Sequence, residues 1–368
     1  MQAFPTALII LASAGVGTLL RGSDFPLWTF IWHNYPQLLS ANLAIAFFLA
    51  SFTYVNSFGV KKGNKGKREL AAGGHTGNIL YDWFIGRELN PRVTLPFFGE
   101  VDIKVFCELR PGLLGWLLLN LSFVAHQYKL YGYVSDSIIL VTIFQGIYVL
   151  DALYFESSIL STIDVTTDGF GFMLTFGDLV WLPFTYSWQA RYLAIHPVHL
   201  GWAGSTVVIL VVSTGFYVFR GSNNEKARFR SDPTDPRVSH LKYLRTRTGS
   251  KLLTSGWWGT ARHINYLGDW LMSWSYCLPT GFAGYVIQRS LSAPVDGQPF
   301  LGPAFGKEVV PGEAKGWGMI FTYFYIVYFA VLLVHRDLRD DEKCSRKYGK
   351  DWEEYKKRVP SRLIPYVY

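Results

Sequence analysis

Tyr323-Phe-Tyr-Ile-Val-Tyr-Phe-Ala-Val-Leu-Leu-Val334 runs without a break into His335-Arg-Asp-Leu-Arg-Asp-Asp-Glu-Lys-Cys344. An apolar stretch of helical length meets packed charge, as where a membrane helix meets water. Continued as a helix, the run sets Arg336 and Asp340 at i and i+4, where they can pair. Lys347, Tyr348, Lys350, Trp352 and Tyr355 follow, and the chain closes on Pro365-Tyr-Val-Tyr368. Such a boundary can hold a phosphate-bearing ligand beside an apolar one. Interfacial anchoring gives the same composition.

Working outward, the whole chain has this character. Half of its 368 residues are hydrophobic and 17% are charged, against about 25% charge in soluble domains. Apolar runs recur near 3–20, 38–58, 112–131, 137–155, 169–186, 200–219, 267–291 and 317–334. Each crossing needs roughly 17–25 residues, and backbone polar groups in lipid must pair internally. The expected fold is therefore an all-α, polytopic membrane helix bundle of eight spans. The net charge of +8 does not then signal nucleic acid. The first run lacks a basic start and reads as a span, not a cleaved signal. Cys107, Cys277 and Cys344 are far apart, without CxxC spacing, and imply neither disulfide framework nor metal. His196 and His199 flank Pro197, which argues against a metal site on one helix face.

Basic charge concentrates in three segments. Gly59–Pro111 has nine Lys/Arg against six Asp/Glu, Arg220–Arg262 ten against three, and His335–Tyr368 ten against seven. These follow spans two, six and eight, so all fall on one side, which the positive-inside rule makes cytosolic. The chain is read as one domain over 1–368: N-terminal helices and a polar segment (1–111), central helices (112–219) and a ligand-binding half (220–368).

The first polar segment opens with a basic loop, Lys61-Lys-Gly-Asn-Lys-Gly-Lys-Arg68. Alternating acids, bases and aromatics follow, which suits an interfacial cap with internal ion pairs. In the fifth run, Asp178, Leu182, Tyr186 and Gln189 are spaced as one helical face. An acid inside a span is a functional candidate by default, while a polar contact between helices is the plain alternative. Pro183 removes a backbone donor there.

After span six, Lys226, Arg228 and Arg230 alternate in a way that suits a phosphate. Gly256-Trp-Trp-Gly259 offers a flat aromatic shelf, and Arg262, Tyr266 and Asp269 are spaced as one face, with His263 and Asn265 beside them. Aromatic, amide and basic groups together suit a nucleotide cofactor. There is no G-x-G-x-x-G after a strand and no P-loop, so the helices and loops must form the pocket.

Several longer motifs carry a resemblance. They are Gly86-Arg-Glu-Leu-Asn-Pro-Arg92, Cys107-Glu-Leu-Arg-Pro-Gly112, Thr166-Thr-Asp-Gly-Phe-Gly-Phe172, Leu252-Leu-Thr-Ser-Gly-Trp-Trp-Gly259, Arg262-His-Ile-Asn-Tyr266 and the His335–Tyr368 tail. In order and content they resemble the integral-membrane sterol reductase family, closest to its fungal-type Δ14 branch. Family members usually carry about two further helices before the equivalent of Met1, about ten spans in all, so a shortened N-terminus is expected.

The resemblance implies NADPH as cofactor and a sterol admitted from the bilayer, in the endoplasmic reticulum membrane with the cofactor side cytosolic. It implies that Lys226 and Arg230 hold the cofactor's phosphate end. Leu253, Trp258, Asn265, Tyr266, Arg336, Asp340, Cys344, Ser345, Arg346, Lys347, Tyr348 and Tyr355 are the further cofactor contacts. Tyr186 and Asp340 fall near the nicotinamide as catalytic candidates, and Asp178 and Trp181 are the candidates for touching sterol. An isolated C14=C15 alkene does not accept hydride directly. A proton must first reach C15, leaving a tertiary cation at C14, and Tyr186 backed by Asp340 is the candidate acid. The same motifs serve Δ24(28)- and Δ7-reductases. A prenylcysteine-type methyltransferase and a structural nuclear-envelope protein are the alternatives from other classes. The Lys226/Arg230 pair favours a 2′-phosphate over S-adenosylmethionine.

Overall fold

The computed structural model describes residues 3–60, 68–97, 99–289, 307–312 and 314–368. It is an all-α membrane helix bundle with, among the described residues, three two-stranded antiparallel hairpins. The basic loop expected over Lys61–Arg68, except Arg68 itself, and the end of the 267–291 run lie outside the described residues. The chain divides into two compact units, Met1–His199 and Leu200–Tyr368.

The first unit begins with α1 (Ala3–Arg21), α2 (Pro26–His33) and α3 (Tyr35–Asn56). A polar segment follows with α4 (Ile79–Ile85), the hairpin β1 (Arg92–Leu95) and β2 (Gly99–Asp102), and α5 (Ile103–Cys107). Internal ion pairs, which its charge pattern implies, run through it. Arg68 donates to both oxygens of Glu88, at 2.8 and 2.7 Å, and Glu88 is only 1% exposed. Lys104 Nζ donates to the carbonyls of Asp164, Val165 and Asp168 at 2.7, 3.2 and 2.8 Å. Two motifs cross at glycines. A Cβ on Gly169 would lie 1.9 Å from Gly86 O, and one on Gly171 2.3 Å from Gly86 N.

A π turn (Glu108–Leu114) leads into α6 (Gly115–Tyr131), followed by α7 (Asp136–Tyr154) and the short α8 (Glu156–Ile159) and α9 (Ile163–Thr166). The 169–186 run is not one helix. It is α10 (Phe172–Phe176), a second π turn (Gly177–Trp181) and α11 (Leu182–Thr185), with α12 (Trp188–Ile195) after a break. Both π turns accompany a proline, Pro111 within one and Pro183 just after the other. Proline lacks the donor of a regular turn, and a π turn redistributes the remaining bonds. The register therefore slips, and Asp178, Leu182, Tyr186 and Gln189 do not share the single regular face that their spacing suggested. At the break, Gln145 Nε2 donates to Tyr186 O at 3.1 Å, while Gln145 Oε1 accepts from Trp116 and Asn120. This buried amide thus satisfies groups that the interrupted helix leaves open.

The second unit contains α13 (Gly201–Ser231), the hairpin β3 (Tyr243–Arg245) and β4 (Lys251–Leu253), α14 (Trp257–Thr260) and α15 (Ile264–Cys277). The hairpin β5 (Tyr285–Arg289) and β6 (Lys307–Pro311) then precedes α16 (Trp317–Tyr348) and α17 (Lys350–Arg358). Helices α13 and α15 meet through glycines: a Cβ on Gly215 would fall 2.8 Å from Gly268 O. Small residues permit such close crossings in membrane helices.

Among the described residues, five helical stretches are long and apolar enough to cross a bilayer: Ala3–Asp24, Tyr35–Gly59, Asp136–Tyr154, Gly201–Ser231 and Trp317–Tyr348. The run at 112–131 is divided between a π turn and α6, and that at 169–186 is segmented. The expected span over 267–291 is corrected. Its helix ends at Cys277, because Pro279 and Gly281 (φ +57°) turn the chain, and Tyr285–Arg289 is a strand.

Candidate functional site

In the second unit, a pocket of about 250 Å³ gathers side chains from six segments. Helix α13 gives Lys226, Phe229 and Arg230, and β4 gives Lys251, Leu252 and Leu253. Trp258 comes from α14, and Arg262 with His263 from the link to α15. Helix α16 gives Asp340, Lys343, Cys344, Lys347 and Tyr348, and α17 gives Trp352 and Tyr355. Six lysines and arginines around one carboxylate make an electropositive wall, to which phosphate groups are matched.

The aromatic wall is set by backbone geometry. Gly256 has φ +65°, and a Cβ there would lie 2.4 Å from Glu225 Oε2. Only glycine fits, and Glu225 Oε1 accepts from Trp257 N at 2.9 Å. This turn delivers Trp258, which is 4% exposed. Its Nε1 donates to Ser222 O at 2.8 Å, and Lys226 Nζ lies 3.6 Å from its ring centroid.

The floor is strapped by the tail. Arg262 Nη1 donates to the carbonyls of Val359 (2.8 Å) and Pro360 (3.0 Å), and His263 N donates to Arg362 O (2.8 Å). Arg362 pairs with the buried Asp337 at 3.0 Å, and Trp352 Nε1 donates to Asp341 at 2.9 Å. Burial lowers the pKa of Arg262 from its ordinary value and raises that of the Tyr355 phenol. Arg262 precedes α15 and points to the tail, so it does not share a helical face with Tyr266 and Asp269.

The pocket unites nine of the cofactor contacts that the resemblance implies: Lys226, Arg230, Leu253, Trp258, Asp340, Cys344, Lys347, Tyr348 and Tyr355. Ser345 and Arg346 do not line it. The lining positions 340, 343, 344, 347 and 348 follow one helical stripe, and Arg346 instead pairs with Glu342. Asn265, Tyr266 and Arg336 also lie outside the lining. The Asn265 and Asp269 Oδ1 atoms, one turn apart on α15, are buried without a hydrogen-bond partner among the described residues. Arg336 is continuous with Asp340 on α16, as expected. Phe229, Lys251, Leu252, Lys343 and Trp352 line it too and were not among those contacts. Lys343 was accessible from the i+3 spacing to Asp340; the others come together only in three dimensions.

The remaining candidates belong to the first unit. Asp178 and Trp181 lie in the second π turn. Tyr186 is buried, its ring edge-on to Trp116 at 5.4 Å.

The pattern of the ergosterol biosynthesis ERG4/ERG24 family matches residues 1–368. The chain is 60% identical over 358 residues to "Delta(14)-sterol reductase ERG24A" of Gibberella zeae, covering 97% of this chain and 73% of that protein. It is 59% identical over 368 residues to "Delta(14)-sterol reductase" of Neurospora crassa, covering 100% and 74%. With "Delta(14)-sterol reductase erg24" of Schizosaccharomyces pombe the identity is 49% over 369 residues, covering 100% and 76%.

Proposed function

The chain belongs to the ergosterol biosynthesis ERG4/ERG24 family, and on that premise we propose that it is an NADPH-dependent oxidoreductase that saturates the C14=C15 bond of sterol intermediates. The relatives named Delta(14)-sterol reductase support the choice of bond. The observation that carries the cofactor is the pocket: Lys226, Arg230, Lys251, Lys343 and Lys347 beside Trp258 and Tyr348. Cations suit the phosphates and aromatic faces suit the bases. The orphaned Asn265 and Asp269 oxygens suit the donors of a carboxamide. When bound, NADPH supplies the hydride; the protein supplies position and field.

In this reading Lys226 and Arg230 hold the 2′-phosphate end, and Trp258 shapes the wall. Tyr186 and Asp340 are the catalytic candidates, with Tyr186 as the proton donor to C15, and Asp178 and Trp181 touch the sterol. The sterol enters from the bilayer. The basic ends of the helices face the cytosol, with the protein in the endoplasmic reticulum membrane.

Isotope placement tests this. Purified protein, NADPH deuterated at C4 and a Δ14-unsaturated sterol should give product with one deuterium at C14. The same reaction in D₂O with unlabelled NADPH should place deuterium at C15. Label at another pair of carbons would assign a different double bond. Tyr186→Phe should lose turnover and still bind NADPH; near-normal turnover would remove it as the acid.

A further inference from the structure

Asp337 and Asp340, one turn apart on α16, share one imidazole. His263 Nε2 lies 3.5 Å from Asp337 Oδ1 and 3.4 Å from Asp340 Oδ2. The ring is held on three sides. Its own backbone N–H donates to Arg362 O at 2.8 Å. Its face stacks on Tyr266, with centroids 4.9 Å apart and planes 15° from parallel. Asp337, 1% exposed, is taken by Arg362 Nη1 at 3.0 Å. To reach either carboxylate as a donor, the imidazole must carry its hydrogen on Nε2. Asp337 thus anchors the ring, and Asp340 is the half-exposed partner that lines the pocket.

Cys344 Sγ approaches the same oxygen of Asp340, Oδ2, at 3.8 Å. Both contacts fall on Oδ2, and among the described residues no hydrogen bond goes to Oδ1. Lys226 and Tyr355 are further charged or titratable groups that act on this carboxylate, and Arg336 and Asp269 act on Tyr266 beneath the imidazole. A carboxylate gripped at one oxygen presents the other in a fixed direction.

We propose that His263 is the positioning residue for Asp340: it grips Oδ2, so that Oδ1 faces the ligand, and the Asp337–Arg362 pair fixes the imidazole in turn. This rests on the reading of Asp340 as a catalytic carboxylate. Helix spacing alone could not reveal it, because His263 lies before α15 and meets α16 only in the fold.

The test uses the full chain in detergent, with NADPH affinity and turnover measured separately. His263→Phe keeps the stack on Tyr266 and loses the N–H; His263→Gln keeps an N–H donor. The phenylalanine variant should lower kcat on the order of 10²-fold, as misplacement of an active-site group does, a larger factor than any loss of NADPH affinity. The glutamine variant should recover most of that loss. Should His263→Phe not accumulate, His263→Ala is read in the same way. Wild-type kcat in the phenylalanine or alanine protein overturns the proposal. So does a parallel loss of NADPH affinity and thermal stability with unchanged kcat, which marks a tail lock only. A wild-type protein that binds NADPH but does not reduce sterol removes the reading of Asp340, and the role of His263 with it.

Discussion

Lys226 Nζ lies 3.6 Å from the centroid of the Trp258 ring, and both side chains line one pocket. The indole is locked by its bond to Ser222 O, so it fixes where the ammonium sits. A cation over an indole face is stabilised by the ring quadrupole, yet keeps donors for an anion. Lys226→Ala should weaken NADPH binding about 10- to 100-fold, as the loss of a charge-assisted contact of roughly 1.5–3 kcal/mol does. Trp258→Leu should weaken it through the displaced lysine. Fluorescence titration of the purified variants checks both, with circular dichroism reporting an unchanged helix content.

The stripe on α16 makes a second prediction. Lys343 and Lys347 line the pocket, whereas Arg346 pairs with Glu342 on another face. Alanine at 343 or 347 should therefore cost more NADPH affinity than alanine at 346. Equal losses at all three positions would mean that the helix face is misassigned.

A third concerns the crossing of two glycine motifs. A Cβ on Gly169 would meet Gly86 O at 1.9 Å, while one on Gly177 meets nothing within 4 Å. Gly169→Ala should destabilise the protein by about 1–3 kcal/mol, the usual cost of forced overpacking. Gly177→Ala should stay within about 0.5 kcal/mol. Thermal unfolding in detergent separates them.

Lys104 supplies a pH dependence. Burial pulls its ammonium down to about 8 from 10.5, against the pull of Asp102 and Asp168. Between those values the unfolded chain holds a proton that the folded chain has released. Stability from this group therefore rises with pH across that window, by up to about 1.4 kcal/mol per pH unit. The penalty is fully present below pH 8. Lys104→Met should melt lower at pH 7, having lost three carbonyl contacts, and should lose this part of the slope. Melting curves at pH 7 and 9.5 for both proteins decide it.

How much of this was legible in the sequence depends on range. Apolar runs declared α1, α3, α7, α13 and α16, because span length is a local property. The prolines at 111 and 183 were visible, but not that each would accompany a π turn, since that depends on which neighbours take the freed carbonyls. The 267–291 run misled because its hydropathy continues past Pro279 and Gly281, where the backbone turns. In the pocket, residues within one motif were readable. Lys251 was not, since the β3–β4 hairpin brings it in from a distance. The continuous reading of 344–348 overlooked that only a stripe of a helix faces one side.

The most direct test of the central claim is turnover by the purified protein in detergent, with NADPH and a Δ14-unsaturated sterol, following NADPH oxidation and product together. The account predicts stoichiometric oxidation and a product heavier by two hydrogens, saturated at carbons 14 and 15. NADPH bound with no change at that bond, or no NADPH binding at all, would contradict it.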